Sequence, residues 1–456
     1  MMNYKKLTGG GLIAGNMPIG DEKLQGELEV TRYYKSLPIT YGVELQFLVP
    51  VLIKGKPDPH PNDIRYYFIV DKGAKYLDIS RLVTDSILRL IRETAQVPVW
   101  TYMGPPYPDR GTLMGMDSES RAISSTEAYA QWVVTTAENL LPQNDPFANN
   151  YAWVGVKVKS NKRNSSFPSH FDQIGRVIAA LRSTFRMRLA PTTSLMIHVG
   201  EVWRDPMSHE GGPRFLRVFC TLWWFLERHI QNLAHPSRHA HPDCQSLRDK
   251  SRLARMPPDK LKEGGMDDMS FAHFYQQMHF ILPITTLNPL EIQQIESIWR
   301  GKNAKEITQK MLVPILQWVT MTSGDLVGKR AALPTYGRGS VGFQGFCEGA
   351  LHYIPLRHND GHTGTIEFRS MESSLDPFLI VNWLAVVTRL FDFARRGNTA
   401  DIMGIISRSQ VRDGSYTAIH LLQDLGLPEQ ARYFKDKIAN HSEDCVERLD
   451  TLFVPA

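Results

Sequence analysis

The segment Gly364–Leu375, which reads GTIEFRSMESSL, alternates polar and apolar side chains in the way that a half-buried strand does. Glu367 and Arg369 fall on one side of such a strand, and Ile366 and Phe368 fall on the other. An apolar run and an Asn-Asp-Gly turn signal precede the segment, and together they predict an antiparallel hairpin. An acid and a base on one strand face suit a site for a metal and a phosphate oxygen, but they also suit a solvated salt bridge. Judged by this segment alone, the salt bridge is the simpler interpretation.

Three earlier segments alternate in the same way, and each is predicted to be a strand with one polar face. They are ITYGVELQFLVPVLIKG (39–55), YAWVGVKVKSNKR (151–163) and TTSLMIHVGE (192–201). Their polar-face residues are, in chain order, Glu44 and Gln46, Lys157 and Lys159, and Met196 and His198. Carboxylates, an imidazole and cations on one buried sheet face are costly unless a ligand or metal satisfies them. We therefore predict that the four strands are neighbours and that their polar faces form one site.

The composition is that of a globular protein with a large core. Its 456 residues are 42% hydrophobic and 22% charged and include nine tryptophans. Basic and acidic residues, 52 and 47, are well mixed, so the sequence does not predict a nucleic-acid partner. The four cysteines are widely spaced, which indicates a reducing compartment. Because the sequence has neither a secretory signal nor an apolar run of about 18 residues, we expect a cytoplasmic protein without a membrane span.

Helical spacing of apolar residues predicts helices around this sheet. They lie at about 80–95, 126–141, 170–187, 213–233, 290–301, 303–319 and 376–397, with two short helices in the C-terminal tail. Pro314 predicts a kink in one of them, and Asp376 and Gly397 are the expected cap and stop of another. The expected organisation is a lead-in segment at 1–38, a main domain at 39–400 with a mostly helical insertion near 245–335, and a helical tail at 401–456.

Two other segments contain residue types that occur in binding sites. One carries four residues with metal-ligand chemistry, which are His235, His239, His241 and Cys244. Their spacing matches no paired zinc pattern, so a proline-punctuated loop is the favoured interpretation. The Gly-rich segment 336–349 could cradle phosphates with its backbone N–H groups, but it lacks the Lys-Ser/Thr ending of a P-loop. We interpret it as a flexible loop.

Four motifs, taken in chain order, resemble the amidoligase family that is common in fungi, which belongs to the glutamine synthetase-like carboxylate–amine ligases. The motifs are YGVELQF, SLMIHVG, HPSR followed by HPDCQSLRDKS, and GTIEFRSMESSLDPFLIVNWLAVVTRLFDFA. The resemblance covers roughly residues 39–400 in motif order, and its last block is the most specific. It implies an α+β fold in which helices flank a curved antiparallel sheet, a half-barrel whose concave polar face binds ATP and divalent metals.

The resemblance also implies roles for individual residues. Glu44 and Glu367 match the family's metal-binding acids, which hold Mg²⁺ or Mn²⁺ against ATP oxygens. His198 matches a histidine that faces the nucleotide phosphates, and Arg369 matches an arginine that faces the transferring phosphate. Arg238 matches an arginine that faces the acyl substrate or phosphate. Such enzymes phosphorylate a small-molecule carboxylate and let an amine displace the phosphate.

The chain departs from the family pattern at three metal-site positions. Gln46 stands where the family has a second acid, and Met196 stands where it has a metal-binding histidine. Lys157 falls where the family tends to have another carboxylate, and it becomes a candidate catalytic cation. A thioether is a poor ligand for magnesium and an amide carries no charge, so a conventional two-metal site is not expected.

The sequence leaves three functions open. The first is an ATP-dependent carboxylate–amine ligase with a reduced metal complement, which is favoured because Glu44, His198, Glu367 and Arg369 are all present. The second is a non-catalytic binding or partner subunit with the same fold. The third is a repurposed cleft that runs ATP-independent chemistry. The expected partners are a carboxylate and an amine, with neither nucleic acid nor a membrane.

Overall fold

An open and mostly antiparallel sheet of nine strands organises the part of the chain that the structure describes. The computed structural model describes residues 38–96, 99–101, 131–137, 140, 147–190, 193–201, 211–239, 241, 244–261, 287–320, 330–337, 339–343, 365–411 and 413–440. The strands are β1 (Ile39–Ile53), β2 (Phe68–Val70), β3 (Val99–Thr101), β4 (Trp132–Thr136), β5 (Tyr151–Lys159), β6 (Arg163–Asn164), β7 (Leu195–Glu201), β8 (Val313–Thr320), β9 (Arg330–Gly337), β10 (Val341–Gly342) and β11 (Thr365–Phe368). The main path of the sheet is β10-β11-β7-β1-β5-β4-β3, with β2 and β6 also paired to β1, while β8 and β9 form a separate antiparallel pair.

Helices accompany this sheet over most of the described residues. They are α1 (Tyr76–Ala95), α2 (Pro168–Thr184), α3 (Gly211–Gln231), α4 (Leu247–Lys250), α5 (Pro258–Leu261), α6 (Pro289–Trp299), α7 (Ala304–Met311), α8 (Pro377–Arg396), α9 (Thr399–Ser409), α10 (Ala418–Asp424) and α11 (Pro428–Ala439). Helix α8 packs on β7, α2 and α3, and α1 packs on α2 and β4. The predicted α+β class with an antiparallel sheet is thus confirmed at this level.

The central strand β1 decides which face each neighbour presents. It pairs antiparallel with β7 on one side and with β5 on the other. Its alternation buries Val43, Leu45 and Phe47 in the main core and places Glu44 and Gln46 on the opposite face. Because side chains alternate with a period of two, a slip of one residue would exchange the two faces.

The apolar face of the sheet packs on aromatic side chains from the helices. Phe368 of β11 lies with its ring centroid 5.6 Å from Trp223 and 5.9 Å from Phe219, both on α3. All three side chains are fully buried, and each such burial is worth about 1.5–3 kcal/mol. This packing fixes β11 by its apolar face and leaves Glu367 on the other side.

The opposite face changes from polar to apolar along β1. Leu48 and Leu52 join Tyr151 and Trp153 in a small buried cluster. Arg188 covers its edge, with the guanidinium carbon 5.4 Å from the Trp153 ring centroid. The polar part of this face is therefore confined to the half of β1 that lies next to β7.

Helix α8 has the ends that its sequence predicts. Asp376 caps it by accepting a 3.0 Å hydrogen bond from the Phe378 backbone N–H, and the Gly397 N–H donates to the Phe393 carbonyl at 2.8 Å. A Cβ at Gly397 would lie 2.5 Å from that carbonyl, so only glycine fits there. The helix is long and apolar enough to cross a membrane by composition, but core helices pass the same test, and 61% of its most apolar window is buried.

Two predicted helices contain strands instead. The segment 126–141 contains β4, and the helix predicted from 303 to 319 ends at Met311 and gives way to β8. Both strands are rich in aromatic and β-branched residues, which fit a pleated sheet once a partner strand is present. Pro314 does not kink a helix, because it is the second residue of β8.

Two further expectations concern segment boundaries. The first strand of the hairpin predicted before Gly364 lies at residues outside those described, so the hairpin stays a prediction. Among the described residues, β11 pairs with β7 and β10. The described residues belong to one unit that starts at Pro38. Helix α9 runs across residue 400, and Arg389 on α8 donates a 2.7 Å bond to the Leu425 carbonyl of the tail. The tail helices thus pack on the main domain.

Candidate functional site

The four polar-faced strands are neighbours in the order β11-β7-β1-β5, which confirms their predicted adjacency. Glu367 lies opposite His198. Glu44 lies opposite Met196 on one side and Lys159 on the other. We call this surface the polar face, and it comprises Glu44, Gln46, Lys157, Lys159, Met196, His198, Glu367 and Arg369.

Glu44 is a buried carboxylate that lysines hold on both oxygens. Its side chain is 4% exposed, with Lys157 Nζ 2.9 Å from Oε1 and Lys159 Nζ 3.1 Å from Oε2. Gln46 Nε2 also donates to Oε1 at 3.3 Å. Burial opposes ionisation, but the charges of Lys159 and Lys157 outweigh it and hold the pKa of Glu44 well below its usual range. Glu44 is therefore ionised, and the ammonium groups of Lys157 and Lys159 neutralise its charge.

Gln46 lies next to Glu44 on β1, and Met196 lies opposite Glu44 on β7. The Gln46 amide is fixed at both ends, because its Oε1 accepts a 2.9 Å bond from Ser194 Oγ while its Nε2 donates to Glu44. Met196 is buried opposite Glu44 and offers only a thioether sulfur. These two positions supply neither a charge nor an available carboxylate oxygen.

Glu367 and Arg369 form a two-point ion pair. Arg369 Nε lies 2.7 Å from Glu367 Oε1, and Nη2 lies 2.5 Å from Oε2. The guanidinium lies against Gly342 of β10, where a Cβ would be only 3.0 Å from both Nη1 and Nη2. Burial disfavours the carboxylate, but Arg369 lowers the pKa of Glu367 below its ordinary value. Of the two arrangements open from the sequence, the structure contains the salt bridge.

The backbone of Arg369 is anchored by two other segments, one of which is held in turn by Glu227 of α3. Its N–H donates to the Ser340 carbonyl at 2.9 Å, and its carbonyl accepts a 3.1 Å bond from Arg238 Nε. Arg238 is buried, and this hydrogen bond holds it against the backbone beside the polar face. Glu227 of α3 accepts a hydrogen bond from Ser340 Oγ and a 2.7 Å bond from the Leu247 N–H. Glu227 was not among the predicted site residues, although a lone acid in the apolar run WWFLERH was a signal.

His198 is on β7, between Glu44 of β1 and Glu367 of β11. Its ring makes no hydrogen bond to any other residue in the described ranges, and it is half-buried. Burial lowers the pKa of His198, although Glu367 and Glu44 act in the opposite direction. The imidazole is therefore neutral at neutral pH and offers one donor and one acceptor nitrogen.

The predicted metal ligands do not fit a divalent metal as they are placed. Within the described ranges, no group of three or more His, Cys, Asp or Glu side chains converges. Both Glu44 oxygens are engaged by ammonium groups, and both Glu367 oxygens by Arg369. Magnesium requires about six oxygens in near-octahedral geometry, and here it would have to displace these cations first. No step is assigned to a metal at either acid.

The histidine-rich loop after α3 does not form a zinc site among its described members. His235 Nδ1 contacts Ser237 Oγ at 2.8 Å, and His239 Nε2 contacts the Gln231 carbonyl at 2.8 Å. Cys244 is buried, which raises the pKa of its thiol to about 11. Each of these side chains thus serves local packing, in agreement with the loop interpretation.

Two cavities of about 280 and 410 Å³ lie away from the polar face. Both are lined by Arg389, Asp392 and Arg396 of α8, and Asp392 already contacts Arg396 at 2.8 Å. The polar face has the richer chemistry and remains the candidate site. No protein-family model and no curated protein matches this chain.

Proposed function

We propose that this chain has a glutamine synthetase-like fold and is an ATP-dependent carboxylate–amine ligase. The observation that carries the proposal is the convergence of four separate strands on one polar face with two acids, two lysines, an imidazole and an arginine. The motif order along the chain supports the same fold. The acyl and amine substrates would be small molecules, and a cytoplasmic location stays a prediction.

In this proposal ATP supplies the phosphoryl group that activates the carboxylate. Lys157 and Lys159 neutralise phosphate charge from β5, and His198 offers a neutral hydrogen-bond donor from β7. Arg369 is held in one orientation by Glu367, and such pre-organisation favours the stabilisation of developing negative charge. Arg238 acts by holding the Arg369 backbone, so it is a positioning residue.

A second candidate is a non-catalytic protein that binds the same class of anionic ligand. The observation that favours it is that both acids of the polar face are already paired with internal cations. A face so arranged is stable without a metal, and it could hold a ligand without turning it over.

The two candidates differ in ATP consumption. We expect the wild-type chain to release phosphate from ATP only when both a carboxylate and an amine are supplied, in a screen of small acids and amines. The double variant Glu367→Gln/Arg369→Gln removes both charges together and avoids leaving one of them buried and unpaired. It should lower the rate by about 10²-fold or more, the usual effect of losing one group that stabilises the transition state.

The matched control is Arg432→Gln, at an exposed position on α11. It should retain the wild-type rate. Failure of every acid–amine pair to consume ATP, with ATP still raising the melting temperature, would favour the binding protein. Absence of both turnover and ATP stabilisation would reject both candidates.

A further inference from the structure

We infer that Lys157 and Lys159 make the polar face a site for a phosphate-bearing anion that binds without a divalent metal ion. The inference deepens the proposed function and rests on it, because it concerns the same face. It assigns the positive charge of the site to two side chains of the chain itself.

The register of β1 and β5 brings both lysines to the polar face. Lys159 lies opposite Glu44 and Lys157 lies opposite Gln46, so both lysines stand on the polar face, two residues apart on one strand. Each ammonium takes a different oxygen of Glu44, at 2.9 and 3.1 Å. We call Glu44, Lys157 and Lys159 the trio, and it carries two positive charges and one negative charge.

The exposure of the three side chains to solvent increases from Glu44 to Lys157 and then to Lys159. The side chain of Glu44 is 4% exposed, that of Lys157 is 26% exposed and that of Lys159 is 49% exposed. A molecule that approaches from solvent meets the ammonium groups before it meets the carboxylate. The trio therefore presents positive charge outward, which attracts anions and repels Mg²⁺.

Lys157 and His198 also supply hydrogen-bond donors to the polar face. An ammonium group has three N–H donors, and Lys157 uses its contact with Glu44 Oε1 as its one ion pair in the described structure. His198, on the neighbouring strand, makes no hydrogen bond to another described residue. Phosphate oxygens accept several hydrogen bonds at once, so they complement this set of donors.

The test measures binding of ATP and of inorganic tripolyphosphate to the full chain by calorimetry, in EDTA and in excess Mg²⁺. We expect both ligands to bind in EDTA at least as tightly as in Mg²⁺. The triple variant Glu44→Gln/Lys157→Met/Lys159→Met removes the three charges together, so none of the three is left beside a neutralised partner. It should weaken tripolyphosphate binding in EDTA at least tenfold.

The control is Lys54→Met, which removes a lysine that pairs with Asp71 on the surface and is 71% exposed. It should bind like the wild type, and the melting temperature of each variant reports whether it folds. Binding that requires Mg²⁺, or binding in EDTA that the triple variant retains, would overturn the inference and leave the ligase proposal standing. Tight metal-free binding without any amide formation would instead support the inference and remove the ligase.

Discussion

Glu44 is the residue on which the charge of the polar face depends. A buried carboxylate without partners would take up a proton, but two lysine ammonium groups keep this one ionised. Removing one partner from a buried ion pair typically costs about 3–5 kcal/mol, whereas replacing the whole set with neutral groups is often tolerated. This asymmetry is the reason that the variants proposed above change charged partners together.

Gly342 is the residue that makes room for Arg369. Gly342→Ala adds a Cβ at 3.0 Å from both terminal guanidinium nitrogens, so the guanidinium must shift by a few tenths of an ångström. Because a misplacement of about 1 Å can cost about 10²-fold in rate, we expect about a tenfold loss of ATP turnover. The cost in unfolding free energy should be small, about 1 kcal/mol, since the displaced atoms end a flexible side chain. Phosphate release and urea unfolding measure the two effects.

The control is Gly175→Ala on α2, where the nearest heavy atom would be 3.9 Å from the new Cβ. It should leave ATP turnover at the wild-type value, and alanine inside a helix should raise the unfolding free energy by no more than about 1 kcal/mol. Equal turnover in the two alanine variants would show that the placement of Arg369 by Gly342 has no catalytic consequence.

At the scale of elements, the segment after β11 is tied to helix α11 by a largely buried ion pair, whose side chains are 13% and 14% exposed. Lys437 Nζ lies 2.8 Å from Glu372 Oε1, and Glu372 Oε2 accepts a 2.8 Å bond from the His235 N–H. Burial opposes ionisation of Glu372, but Lys437 and these hydrogen bonds lower its pKa below the usual 4.5. The ion pair and the His235 hydrogen bond therefore join the segment after β11, the loop after α3 and the C-terminal tail.

This pair predicts a specific pH dependence. Because the pKa of Glu372 is lower in the folded state, the unfolded state binds more protons in the acid range, and stability falls as pH drops through the folded pKa. Glu372→Gln should lower the unfolding free energy by about 3 kcal/mol at neutral pH, because the Lys437 ammonium loses the carboxylate with which it pairs. The gap to the wild type should narrow as pH falls below 4.5.

Urea unfolding at a series of pH values measures this narrowing. The control Glu429→Gln changes an exposed acid on the same tail helix α11, and its curve should run parallel to the wild type. A gap between Glu372→Gln and the wild type that stays constant down to the acid limit would contradict the assigned role of the pair.

At the scale of the whole molecule, the tail is part of the main unit. Helix α11 contacts α8, while α9 and α10 contact α3. His229 contacts the Ser409 carbonyl at 3.2 Å, and Lys437 donates to the Leu233 carbonyl at 2.9 Å. Truncation after Val411 removes α10 and α11 and leaves Glu372 without Lys437. We therefore expect the truncated chain to unfold at lower urea concentration than the Glu372→Gln variant. A truncated chain as stable as the full one would show that the tail is a separate domain.

The sequence predicted those elements whose periodicity and caps agree. Strands β1, β5 and β7 follow the alternation of their residues, and α8 begins after Asp376 and ends before Gly397 as predicted. Strands β4 and β8 were wrongly assigned to helices, because a short apolar run has no distinctive period and its partner strand decides its conformation.

The sequence by itself determined which residues share the polar face, because alternation assigns each side chain to one side of its strand. It also indicated the Glu367–Arg369 pair, whose members stand two apart on one strand face. The partners of Glu44 were decided only by the tertiary structure, since they depend on the pairing of β1 with β5 across more than 100 residues of chain. The same is true of Gly342, which lies against the Arg369 guanidinium, and of Glu227, which accepts a hydrogen bond from Ser340. Local sequence sets the face of a residue, whereas long-range strand register sets its neighbours and therefore its charge.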